Sequence, residues 1–141
     1  MGIKAVNRDF KELLKKNNFP MKKIENEESY LYQACLELSD NRQVDFAVSI
    51  SKNKNYPIAQ IVFNKIATVT NEDDRNKWLN IINEINLIQG LYYSMGIDQN
   101  NDIYARHVTW LEDDVEGFFE VLKQGGNIIR VAIQKIEQEF N

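Results

Sequence analysis

The residues most suggestive of chemistry lie in "DQNND", where Asp98, Asn100 and Asp102 place oxygen-bearing side chains at alternate positions. That spacing opens a calcium loop, but an EF-hand also needs a glycine at its sixth position and a bidentate glutamate at its twelfth. Counted from Asp98, those positions hold Ile103 and Thr109, and strand-like rather than helical patterns flank the stretch. Asp and Asn close tight turns through their side chains and tolerate left-handed backbone. The spacing therefore predicts a hairpin turn. The single histidine, His107, has no second imidazole with which to form a zinc site, and the single cysteine, Cys35, allows neither a disulfide nor a multi-thiolate site within the chain. A Cys35–His107 nucleophilic pair would need a third, orienting group, and nothing in the sequence indicates one. Cys35 in a strand-like run reads as a small buried hydrophobe, and His107 as a packed or surface residue. The acidic groups at 72–74 and 112–114 each precede a helical pattern, where carboxylates suit the helix dipole. The glycines are scattered apart from Gly125-Gly126, which excludes a phosphate-cradling loop. No catalytic, metal-binding or cofactor-binding residue is expected, and a non-enzymatic role follows.

Bulk properties narrow the partners. At 141 residues the chain fits one α+β domain spanning 1–141. The net charge of −4 offers no field for phosphates, so nucleic acid is disfavoured. No run approaches the roughly 18 apolar residues of a membrane span. The opening "MGIKAVNRDFKELLKKNNF" lacks the apolar core of a secretory signal, and Val6 stands where a myristoylation motif has Ser or Thr. The expectation is a cytoplasmic protein with no membrane partner.

The periodicities that must position these groups change along the chain. Residues 7–17 read as an amphipathic helix, with Phe10, Leu13 and Leu14 on one side, Asn7 as its cap, and Pro20 ending the segment. "SYLYQACLEL", "VDFAVSIS" and "IAQIVFNKIATV" alternate with the two-residue period of strands, the last with a bend near Asn64-Lys65. Short polar turns make them an antiparallel meander of about three strands. "TNEDDRNKWLNIINEINLIQG" returns to helical spacing, capped at Thr70 or Asn71 and stopped at Gly90. A hairpin, "LYYSMGI" and "DIYARHVTWL", follows the helix. The closing segment from Val115 keeps one apolar stripe through Phe140 across both glycines. Each glycine costs about 1 kcal/mol in a helix, so one long helix implies a close neighbour there; two helices broken at the glycines is the alternative. The order helix, strands, helix, hairpin, helix predicts an antiparallel sheet packed by helices.

The apolar residues exceed what this plan hides. Around the 72–89 helix, Trp78, Leu79, Ile81, Ile82, Ile85 and Ile88 span about 180°, against the ~100° stripe one packing surface requires; Asn86 falls inside that arc and Leu87 outside it. The hairpin carries aromatic groups on its second face: Tyr92, Tyr104 and Trp110. Trp78, Leu79, Leu87, Tyr92, Tyr104 and Trp110 are therefore the candidates for contact with another protein or a second copy, with burial in the core as the alternative for each.

The second half, "WLNIINEINLIQGLYYSMGIDQNNDIYARHVTWLEDDVEGFFEVLKQGGNIIRVAIQKI", resembles the YbjN-type, or bacterial sensory-transduction-regulator-like, members of the type III secretion chaperone-like superfamily. The likeness lies in a helix ending in "NEIN", a short strand, a D/N-rich turn, a second strand, the acidic "LEDD" and a long closing helix. The preceding helix and strands match the same order, while Gly125-Gly126 and the tyrosines of "LYYSM" depart from it. The resemblance implies a compact α+β domain, commonly homodimeric, that binds an extended client and catalyses nothing. The rival class is a small acidic inhibitor or immunity-type protein covering a basic site on its partner.

Overall fold

The computed structural model describes residues 2–39, 41–53, 58–88, 92–112 and 114–140. Helix α1 (Ile3–Lys16) leads into strands β1 (Lys22–Glu25), β2 (Ser29–Glu37), β3 (Gln43–Ser51) and β4 (Ile58–Thr68). A short 3-10 turn at Glu72–Asp74 opens α2 (Arg75–Ile88), followed by β5 (Ser94–Ile97), β6 (Asp102–Trp110) and α3 (Val115–Phe140). The six strands form one antiparallel sheet in the order β1-β2-β3-β4-β6-β5, so β6 returns beside β4 and β5 becomes an edge. The expected α+β architecture is the one observed, with one strand more than the meander predicts. That strand, β1, is "KKIE": exposed at every position, it carries no two-residue burial pattern to read.

One face of the sheet is buried. Tyr32, Val48, Ile50, Ile61, Phe63, Ile103 and Ala105 point into a single core shared with all three helices, while their strand neighbours face outward. The bend expected near Asn64-Lys65 is a bulge. Residues 63 to 67 of β4 span only 105 to 103 of β6, and Lys65 takes the left-handed φ of 50°. The bulge moves the buried position from odd to even, keeping Ile66 in the core.

Helix α1 starts four residues earlier than its sequence pattern suggests, and Asn7 is not its cap. Asn7 is buried within the helix, where its side-chain oxygen accepts the Tyr32 hydroxyl. A buried amide needs such a partner, and a phenol on the sheet supplies it. Burial pushes the Tyr32 phenol up to about 12, with Tyr30 and Glu25 adding to the shift. Burial also raises Tyr93, whose hydroxyl donates to the Val121 carbonyl at 2.9 Å. Both groups ionise more easily in the unfolded chain, near the ordinary value of 10.0. The stability they contribute is fully present below that value and is lost as pH rises through about 12. An alkaline titration followed by phenolate absorbance should show these two tyrosines ionising late, together with loss of helical circular dichroism. Ionisation of both ahead of unfolding would contradict it.

Helix α3 runs unbroken through Gly125 and Gly126. A Cβ at Gly125 would lie 2.6 Å from Tyr93 Oη and 2.8 Å from the Phe63 ring. The helix tolerates a poor helix former because the sheet approaches at that point. The cap expected at Thr70 or Asn71 is Asn71, whose side chain accepts from the Asp73 amide at 3.0 Å. Gly90, Leu91 and the side chain of Ile88 lie outside the described residues.

Candidate functional site

The "DQNND" stretch is a turn. Asp98 Oδ1 accepts from the amides of Asn100 at 2.8 Å and Asp102 at 3.0 Å, and Asn101 adopts a left-handed φ of 64°. The Thr68 hydroxyl donates to Asp102 Oδ1 at 2.7 Å, and Arg75 donates to Asn101 Oδ1 at 2.8 Å. Three side chains of the stretch are thus engaged in closing the hairpin and tying it to β4 and α2. Cys35 is exposed, which corrects its expected burial: it projects from the uncovered face of β2. Its thiol donates to Asp45 Oδ1 at 3.0 Å, and that hydrogen bond raises its pKa, the opposite of nucleophile activation.

The sheet has two edges, and they differ. At β5, Asn86 of α2 holds Met95 from the side: its Nδ2 donates to the Met95 carbonyl at 3.1 Å, and its Oδ1 accepts the Met95 amide at 2.8 Å. One amide side chain thus satisfies both outward backbone groups of an edge residue and blocks strand addition there. This explains a polar residue inside the apolar arc of α2. Asn86→Leu should cost about 1–3 kcal/mol by stranding two backbone groups, measured by urea denaturation, and should increase aggregation. Unchanged stability would show that the pair carries no load.

Strand β5 pairs with residues 103–106 of β6, and the chain leading into it stays beside β6 at Tyr92. Near residues 107–110 lies a cleft of about 960 Å³ between β6 and the first turns of α3. Its apolar walls come from Tyr92, Trp110, Phe118, Val121 and Ile128, and its charged groups are Glu112, Asp114 and Glu120. His107 and Thr109 reach it from the inner face of β6. His107 Nδ1 sits 2.8 Å from the Tyr92 carbonyl, which can only accept, so this nitrogen carries the proton. Nε2 is then the acceptor of the neutral ring. The Asp114 carboxylate caps α3 through the Gly117 amide at 2.8 Å. Asp113 lies outside the described residues.

Searches against protein-family models and against curated proteins found no match to this chain.

The six candidate residues separate into distinct environments. Tyr92 and Trp110, 57% and 58% exposed, come together as walls of the cleft. Tyr104 is half-buried on the outer face, its ring crossing Gly96 so closely that a Cβ there would meet its hydroxyl at 2.7 Å. Leu79 and Leu87, 45% and 76% exposed, stand on the solvent side of α2 and do not line the cleft. Trp78 requires correction. It is 8% exposed and stacks on Phe140 with ring centroids 4.3 Å apart, which withdraws it from any partner surface. The pairing of a residue early in α2 with the end of α3 has no local sequence signal. Sequence reasoning read His107 as a packed or surface residue and Glu112 and Asp114 as helix-start acids, and it did not assign Glu120 or Phe118 to a site; the structure brings all five to the cleft. Their grouping depends on β6 packing beside the first turns of α3, which has no local sequence signal.

Proposed function

We propose that this protein is a non-enzymatic protein-binding domain that takes an extended segment of a partner along the end of β6. The single observation that carries this function is the cleft between that end of β6 and α3, with its aromatic and aliphatic walls. Strand addition draws affinity from main-chain hydrogen bonds and selectivity from pockets for alternate side chains. The Asn86 side chain disfavours such an encounter at Met95 of β5. Exposed Ile58 and Val108, with Trp110 paired to Ile58 across the sheet, extend the apolar surface onto the outer face. A chaperone-like or adaptor role follows, in keeping with the YbjN-type resemblance. Self-association through Leu79 and Leu87 is part of the proposal, and light scattering of the wild type and Leu87→Glu tests it: a dimer lost in the variant supports it, and a wild-type monomer at high concentration removes it.

The docking test uses an extended octapeptide and two twins, each bearing N-methyl groups on the alternate amides of one edge. Strand addition predicts that methylation on the edge facing β6 abolishes binding while methylation on the opposite edge does not. Equal binding of both methylated forms would refute it.

A further inference from the structure

We infer that the outer edge of β1 is a second docking surface, which takes an extended acidic segment of a partner protein; it stands apart from the β6 cleft and does not depend on it. Strand β1 ends the strand order and pairs with β2 alone among the described residues. The Asn26 amide donates to the Ser29 carbonyl at 3.1 Å, which puts that pair in the hydrogen-bonded class. Antiparallel pairs alternate, so Ile24 and Lys22 are the β1 residues bonded to β2, through Leu31 and Gln33. The amides and carbonyls of Lys23 and Glu25 therefore point away from β2, on a strand exposed at every position. Outward donors and acceptors at every second residue are what an added strand uses.

Side chains supply the preference. Lys23 and Glu25 lie opposite the buried Tyr32 and Tyr30, on the helix-covered side of the sheet, while Lys22 and Ile24 lie on the uncovered side. On the helix side a groove of about 500 Å³ opens between β1 and the end of α1. Leu14, Phe19 and Met21 give it an apolar floor, Lys11, Lys15 and Lys23 rim it, and no carboxylate lines it among the described residues. Glu25 is held by Lys52 at 2.9 Å and by Lys23 at 3.5 Å. Lys11 and Lys15 have no ion-pair partner among the described residues, a local reversal of sign on a chain of net charge −4. A segment added at this edge turns every second side chain toward the groove, where a carboxylate meets the ammonium groups. Its alternate, apolar side chains then lie beside Ile24, which is 36% exposed. Lysines keep a short edge strand from pairing indiscriminately. A second copy would set another lysine-rimmed groove beside the first, whereas an acidic strand neutralises the one present. The β6 cleft, lined by Glu112, Asp114 and Glu120, repels the same segment.

Three fluorescein-labelled octapeptides, in which valine alternates with glutamate, serine or lysine, separate the possibilities by fluorescence anisotropy at low ionic strength. The glutamate peptide should bind about ten-fold or more tighter than the serine peptide. In amide spectra of the isotope-labelled protein it should shift Lys23 and Glu25. Lys11→Glu should remove most of the preference. Lys4→Glu, the same charge change on the same helix but outside the groove, should preserve it. N-methyl groups along one edge of the glutamate peptide should abolish binding, and along the other edge should not. Equal loss in the two charge variants would mean bulk attraction and overturn the inference. Equal tolerance of both methylations, or amide shifts confined to the β6 cleft, would overturn it too. So would equal binding of the glutamate and serine peptides, or failure of all three to bind. Self-association that excludes every peptide would make a second copy the occupant, and the acidic segment would fall.

Discussion

Replacing Phe10 with alanine is expected to cost about 3–5 kcal/mol, a large share of the roughly 5–15 kcal/mol that holds a domain of this size together. Phe10 is fully buried and lies where α1, the sheet and α3 meet. Its ring packs edge-on against Tyr32 at a centroid distance of 5.0 Å, and against Phe118 at 5.8 Å and Phe119 at 6.5 Å. Truncation at a site so enclosed carries both a transfer term and a cavity term. Urea denaturation should show the midpoint falling sharply with the slope unchanged. A loss below about 1 kcal/mol would mean that α1 does not dock as described. The variant also bears on the candidate site, because Phe118 supports Phe10 on one side and lines the cleft on the other.

The second large effect concerns the paired glycines of α3, whose alanine variants should move stability in opposite directions. At Gly125 an added methyl meets Tyr93 Oη at 2.6 Å and the Phe63 ring at 2.8 Å. Neither can retreat easily. Tyr93 is held by its hydrogen bond to Val121, and Phe63 is stacked on Phe46 with centroids 4.8 Å apart. Overpacking of this kind costs about 1–3 kcal/mol and outweighs the roughly 1 kcal/mol that alanine gains in helix propensity. Gly125→Val should be worse. At Gly126 the nearest atom is Leu36 Cδ1 at 3.2 Å, the tip of a flexible, half-buried side chain that can shift. There propensity prevails, and Gly126→Ala should stabilise by about 0.5–1 kcal/mol. Equal effects at both positions would contradict the close approach at Gly125.

What the sequence made legible follows its regularities. Alternation located β2, β3, β4 and β6, and the apolar stripe of α3 carried the helix across its glycines despite their poor propensity. The features that escaped are those with no period. Strand β1 is four exposed residues held by pairing with β2 alone. Trp78 owes its burial to Phe140, far along the chain. Asn7 looked like a cap because asparagine favours caps, but a tyrosine on the sheet makes an interior position tenable. Asn86 stood out only as a polar residue in an apolar arc, and its purpose depends on Met95 lying at an edge. Tyr92 and Trp110 were legible as surplus aromatics. Their meeting with His107 and three carboxylates was not, because the cleft is formed where β6 packs beside α3 rather than by any motif.

The central claim is that a partner's extended segment docks along the end of β6. It is tested most directly by nuclear Overhauser contacts between the isotope-labelled protein and the extended octapeptide. The claim predicts inter-strand contacts from the peptide backbone to the backbone of residues 107–110, with peptide side chains touching Phe118 or Trp110. Contacts confined to Leu79 and Leu87 on α2, or to the outer edge of β1, would contradict it.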